Sequence, residues 1–211
     1  MKRKITCFCD NAFDVEVPDE IDLDSGSYLD EIFSGSFFNF SCTSCNKKHK
    51  PEYPLLVHWP SRNLHFEVFP ELERGEFYRR KKAPDPGKGQ YKLETLIGYP
   101  EMADRLLVIR DGFDPLAIEA IKYFLHLKAE EQYPEDELDI WYCGSTEPGD
   151  QIEFHIHGIR KDEVAVMKVP VALYHKTLDD YKKNPKGELF SSLRVRSYLS
   201  VKNTLYPDEL K

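Results

Sequence analysis

The 211-residue sequence has no uninterrupted apolar run near the length of about 18 residues that marks a helical membrane span, so no span is expected. Its opening, MKRKITCFCD, is basic and turns polar at once, without the apolar stretch of an export signal. A cytoplasmic location is therefore expected. In that reducing compartment the five cysteines are not expected to pair as disulfides. Two catalytic signatures are also missing. Gly87-Lys88-Gly89-Gln90 lacks the upstream glycine and the hydroxyl of a phosphate-binding loop, and no H-E-x-x-H occurs. With 41 % hydrophobic and 13 % aromatic residues the chain can bury a substantial core, so disorder is not expected.

What is present is a pattern of thiols. Cys7 and Cys9 form a C-x-C pair, Cys42 and Cys45 a C-x-x-C pair, with residues 10–41 between them. Each pair supplies two ligands from one tight turn, and two pairs fill a tetrahedron, so zinc is the expected ion, with iron as an alternative occupant. Four thiolates and one divalent cation would take the formal charge of −8 to about −10. Asp10 and Asn46 directly follow the second thiol of each pair. They are residue types that tolerate the positive φ of a metal knuckle, where amide N–H groups turn toward sulfur. Phe13, Val15 and Val17 alternate with acidic residues, and Phe37, Phe38 and Phe40 lead into the second pair. Each pair is therefore placed at the tip of a β-hairpin, the outline of a zinc ribbon. His49 is read as a solvated loop histidine rather than a ligand.

From these residues the chain resembles the CpXC family. The resemblance is carried by the C-x-C pair, the segment YLDEIFSG, FNFSCTSC, the stretch from Tyr53 to Leu56, and EMADRLLVIRDGFDPLAIEAIK, and covers roughly residues 5–131. The family is named for its two cysteine pairs. This chain departs from that pattern: its first pair is one residue shorter, and neither pair contains the proline. The resemblance implies a bacterial-type protein with a cysteine-built domain and no assigned biochemical function.

The expected fold class is α+β. Residues 1–73 form a β-rich zinc-ribbon domain, 74–92 a basic Pro/Gly linker or loop, and 93–211 an α+β domain with one long buried helix and an antiparallel sheet. Strands are expected near 3–8, 12–17 and 36–41. A short helix, capped by Ser27 and closed by Gly35, lies between the last two. Two more strands flank a turn at Pro60–Asn63. Pro84, Pro86, Gly87 and Gly89 exclude regular structure around them. A helix opens at Pro100 and runs through Leu107 or Arg110, and the strongest helical pattern starts at Asp114-Pro115. Strands at 138–143, 151–158 and 163–169 lead to a helix opened by Pro170, and the tail near 190–210 is read as helix.

Three sites beyond the cysteine pairs carry weaker signals. Residues 74–92 hold seven basic and two acidic side chains interleaved with Phe77, Tyr78 and Tyr91, a pattern suited to single-stranded nucleic acid. Residues 93–167 hold six basic and seventeen acidic ones and would repel a phosphate backbone, so nucleic acid is not the expected partner. Glu153, His155 and His157 share one face of a strand and would suit a second metal and a metal-dependent enzyme; a polar solvent face is the plainer reading. Cys143 is read as a small buried side chain at a strand end. With no catalytic constellation, the expectation is a binding or scaffold protein with a structural zinc site of four cysteines, whose partner is another protein or a second copy of itself.

Overall fold

The computed structural model describes residues 1–80, 93–133, 137–146 and 149–205. It divides into two compact units, Met1–Met102 and Ala103–Lys211, and its mixed helices and sheets make it an α+β protein.

In the first unit, β1 (Lys2–Thr6) and β2 (Ala12–Glu16) form an antiparallel hairpin in which Ile5 pairs with Phe13 and Arg3 with Val15. Alternation sends Phe13, Val15 and Val17 inward with Ile5, Cys7 and Cys42, and leaves Asp14 and Glu16 outside. The short β3 (Glu20–Asp22) precedes α1 (Tyr28–Phe33). Ser27 precedes this helix without capping its backbone; its hydroxyl donates instead to Glu31 Oε1 at 2.5 Å. Gly35 closes it at φ 69°, as its position predicts. The strand expected over 36–41 shrinks to β4 (Phe40–Ser41). The N–H groups of Ser36 and Phe37 are spent on the Glu31 carbonyl at the helix end, and Phe38 sits at φ 50°, so an extended run cannot start before Phe40. β4 pairs with β5 (Lys48–His49).

A second sheet of this unit holds β6 (Leu55–Trp59) and β7 (Leu64–Phe69), an antiparallel pair whose turn is completed by Asn63 at φ 52°. β3 adds to β6 in parallel. The segment expected as loop from residue 74 begins instead with α2 (Arg74–Arg79), in which Arg74, Phe77 and Tyr78 are buried. Burying two aromatic rings and pairing Arg74 with Glu71 and Glu101 makes that turn helical. Residues 81–92, which hold the rest of the predicted basic loop, lie outside the described residues. β8 (Leu93–Ile97) pairs in parallel with β7 and lies within the first compact unit. Gly98, at φ 83°, then turns the chain into α3 (Tyr99–Arg110), where an added Cβ would meet Glu71 Oε2 at 2.8 Å.

In the second unit the strongest sequence pattern becomes α4 (Pro115–Glu130), whose N-terminal Leu116 N–H is capped by Asp114 at 2.8 Å. Ten of its residues are buried, among them Glu119, Lys122 and His126, while Phe124 and Leu127 reach solvent. β9 (Asp139–Ser145), β10 (Gln151–Arg160) and β11 (Glu163–Pro170) form an antiparallel sheet in the order β11-β10-β9. Its inner side chains, Ile140, Tyr142, Ile152, Phe154, Ile156 and Val169, pack with Ala117, Ile118, Ile121 and Leu125 of α4. α5 (Val171–Lys183) follows Pro170. The tail expected as helix is broken up. Between α6 (Glu188–Ser192) and α7 (Lys202–Leu205) runs a hairpin of β12 (Arg194–Val195) and β13 (Tyr198–Leu199), with Arg196 at φ 57° in its turn.

A buried ion network ties this unit together. The Lys122 ammonium donates to Asp104 Oδ2 at 2.5 Å and to Glu119 Oε1 at 2.9 Å. Asp104 also accepts from the Tyr142 N–H, and Glu119 from the Val201 N–H. Arg105 donates to the Leu199 carbonyl at 2.6 Å. Lys122 thus has two opposite charges, Arg105 lies 4.0 Å from Glu119, and Asp104, Glu119 and Arg105 each have a backbone partner as well, the condition under which buried charges are tolerated.

Candidate metal centre

The two knuckles are built alike, one residue apart in length. In the longer, Asn46 N–H bonds the Cys42 carbonyl at 3.0 Å and Cys42 N–H the Lys47 carbonyl at 2.9 Å. In the shorter, Asp10 N–H bonds the Cys7 carbonyl and Cys7 N–H the Asn11 carbonyl, both at 2.9 Å. Asp10 at φ 61° and Asn46 at φ 58° turn the chain back into β2 and β5. The missing residue of the C-x-C pair is therefore absorbed in the turn, while its closing residue keeps its conformation.

This brings four sulfurs together. Cys7 Sγ lies 3.5 Å from Cys45 Sγ and Cys9 Sγ 3.7 Å from Cys42 Sγ, and all four fall within 4.8 Å of one another. A tetrahedral ion with bonds of about 2.3 Å to sulfur holds its ligands about 3.8 Å apart, so the four cysteines fit such an ion. Cys7 and Cys42 are buried, Cys9 and Cys45 exposed. Among the described residues this is the one group of three or more metal-ligating side chains so gathered.

The surroundings favour the thiolate at Cys42 and the protonated thiol at Cys7. The Ser44 N–H points at Cys42 Sγ from 3.4 Å and Asn11 Nδ2 from 3.5 Å. The amides of Cys45 and Ser44, in that order, bring the Cys42 thiol down to about 6. The Cys9 amide likewise favours a Cys7 thiolate, but burial and the neighbouring thiols of Cys45, Cys9 and Cys42 prevail and push Cys7 up to about 12. A cluster in which one thiol is ionised and its neighbour holds its proton is one that a cation completes by displacing protons.

His49 is not the solvated loop residue expected. It lies in β5, paired with Phe40, which carries its ring over the first knuckle. Its Nε2 is 3.2 Å from Cys7 Sγ, and its ring stacks on Phe8 with centroids 6.1 Å apart. The signal that could have found it is β-register: His49 lies four residues past Cys45, the right distance to fold back beside the other pair.

A family model described as CpXC protein matches residues 5–122, more than half of the chain and including all four cysteines. The chain belongs to the CpXC family. A curated relative from Treponema pallidum (strain Nichols), described as an uncharacterized protein, is 27 % identical over 214 residues, covering 95 % of this chain and 97 % of the relative. No solved structure matches. The CpXC match runs through α4 as far as Lys122, so it takes in Asp104 and Glu119 as well as the thiols.

The other predicted sites are not assembled in this way. Glu153 and His155 share a face of β10 and touch, His155 Nε2 to Glu153 Oε1 at 3.2 Å, with Lys168 Nζ 3.6 Å from the second carboxylate oxygen. Glu153 is thus engaged by two cations or donors, and His157 is not gathered with the pair. Cys143 is half-buried on β9, and burial raises its thiol above the ordinary range, which lowers its reactivity. Sequence reading missed a further pair. His58 and His65 face each other across β6 and β7 with Nδ1 atoms 2.6 Å apart, and Glu20 Oε1 lies 3.1 Å from His58 Nε2.

Proposed function

We propose that this CpXC protein holds one zinc ion in a structural site made of Cys7, Cys9, Cys42 and Cys45, and that it acts in the cytoplasm as a binding or scaffold protein. The observation that carries the reading is the sulfur geometry: four thiols within 4.8 Å of one another, supplied by two hydrogen-bonded knuckles. Thiolate sulfur selects a borderline-soft ion such as zinc over magnesium or calcium. Four protein ligands complete a tetrahedron and leave no position for a substrate, the mark of a structural rather than a catalytic centre. The exposed helix side chains Phe124 and Leu127 are consistent with a protein partner.

Elemental analysis of the purified protein, run beside its native mass, tests this. One zinc per chain, lost in Cys42→Ser together with the folded signature of the first unit, is the expected result. A protein free of metal, or one whose melting is indifferent to both chelation and Cys42→Ser, would overturn it.

A further inference from the structure

The sheet of the second unit ends in a strand that pairs with β10 on one side only. Among the described residues β11 is the terminal strand of the order β11-β10-β9. It is eight residues long, and its middle, Val164-Ala165-Val166-Met167, carries no charge. Natural edge strands are usually guarded by an outward lysine at mid-strand, a proline or a bulge. Here Pro170 stands at the strand's last position, and the irregularity of the hairpin lies on β10, between Ile156 and Arg160. Val164 and Val166 are 44 % and 54 % exposed.

The register fixes the hydrogen-bond phase of this edge. The Val171 N–H donates to the Asp150 carbonyl at 2.8 Å, one step beyond the Gln151–Pro170 pair. Antiparallel ladders alternate, so Val169, Met167 and Ala165 exchange bonds with β10. Val164, Val166 and Lys168 turn their N–H and C=O groups to the free edge.

We propose that β11 pairs antiparallel with β11 of a second copy of this chain, about a two-fold axis at Ala165, joining two three-stranded sheets into one of six. A two-fold axis normal to the sheet keeps each face on its own side, so only residues of the same parity can lie opposite one another. Centred on Ala165, this places Val164 opposite Val166 of the second copy, and Val166 opposite its Val164. Both pairs use the outward-facing backbone groups. Two β-branched pairs then cover each other on the exposed face. One step further out, the Lys168 ammonium lies beside Asp162 of the second copy, in the turn that precedes β11, and the relation repeats across the axis. The strand is thus self-complementary in shape and in charge. The pairing involves the second unit alone and stands whether or not the cysteines hold zinc.

Sedimentation velocity of the full chain over a hundredfold concentration range tests the assembly. A species of twice the 24.7 kDa chain mass is expected, and Val166→Lys should abolish it with an unchanged circular dichroism spectrum. The register is read independently by Ala165→Cys. On mild oxidation it should give a 165–165 disulfide between copies, identified by peptide mass, while Met167→Cys gives no 167–167 bridge. A monomer throughout the range overturns the proposal, as does a dimer indifferent to Val166→Lys. Loss of the dimer in Val166→Lys without the 165–165 bridge in Ala165→Cys overturns the pairing about Ala165.

Discussion

Asp10 and Asn46 hold the same left-handed backbone, φ 61° and 58°, each one residue past the second thiol of its pair. Their neighbours differ, and so do the lengths of the turns they close. What they share is the need to reverse the chain after a sulfur while the amides behind them face the metal position. That need can be tested by changing the side chain and leaving the thiols alone.

Asn46→Gly should change the stability of the metal-loaded protein little, since glycine enters this region without steric cost. Asn46→Val should lower it by about 1–2 kcal/mol, the penalty of a left-handed conformation for a residue with a branched Cβ. Asp10→Gly and Asp10→Val should show the same contrast. Urea unfolding of the four variants, each checked for metal content, measures it. Equal effects of glycine and valine would mean that the side chains, not the backbone, matter there.

How far the sequence reveals the molecule depends on the range of the interaction. The knuckles, the hairpins that carry them and the cap of α4 are decided within a few residues, and Cys7, Cys45, Asp10 and Asp114 could be read directly. The parallel pairings of β3 with β6 and of β7 with β8 join segments separated by whole elements, and no local pattern announces them. Arg74 shows the same limit. Its charge and the prolines that follow suggested a solvated loop, yet its guanidinium donates to Glu101, 27 positions on, and is buried for that reason. His49 was misread because its neighbour in space, Cys7, lies 42 positions away.

His49 and Asn11 should tune the metal without binding it. Each presents a nitrogen to a ligand sulfur, His49 to Cys7 and Asn11 to Cys42. Removing such an outer partner typically costs 10–100-fold in metal affinity. His49→Ala should therefore weaken binding of the proposed metal by about tenfold, read by competition with a chromophoric chelator, at unchanged stoichiometry. A drop from one ion to none would show that His49 is itself a ligand.

Lys122 should be the most sensitive single charge in the second unit. It is 3 % exposed and stands between Asp104 and Glu119. Lys122→Met leaves two carboxylates facing each other in the interior, and breaking a buried pair from one side costs about 3–5 kcal/mol. Asp104→Asn combined with Lys122→Met, which removes one charge of each sign and leaves Glu119 beside Arg105, should recover part of that loss. Denaturant unfolding monitored by the aromatic signal of Trp141 and Tyr142 measures both. Recovery would show that the cost of Lys122→Met lies in the stranded carboxylates rather than in lost packing.

The His58–His65 pair should make the first unit sensitive to acid. With the Nδ1 atoms 2.6 Å apart, one ring donates and the other must be unprotonated at that nitrogen. Burial, followed by the nearby His58 ring, lowers the proton affinity of His65 below the ordinary 6.5. The unfolded chain then binds a proton that the folded chain resists. The stabilisation is fully present above pH 6.5 and is lost as pH falls through that value toward the lower folded pKa. His65→Gln, which can still donate to His58 but does not titrate, should flatten the fall in stability on the acid side of 6.5 relative to the unaltered protein. Unfolding free energies at a series of pH values for both proteins decide it. Parallel curves would mean that other groups carry the acid response and that the pair keeps its geometry through a proton held elsewhere, with Glu20 on the outer nitrogen of His58 as the first group to examine.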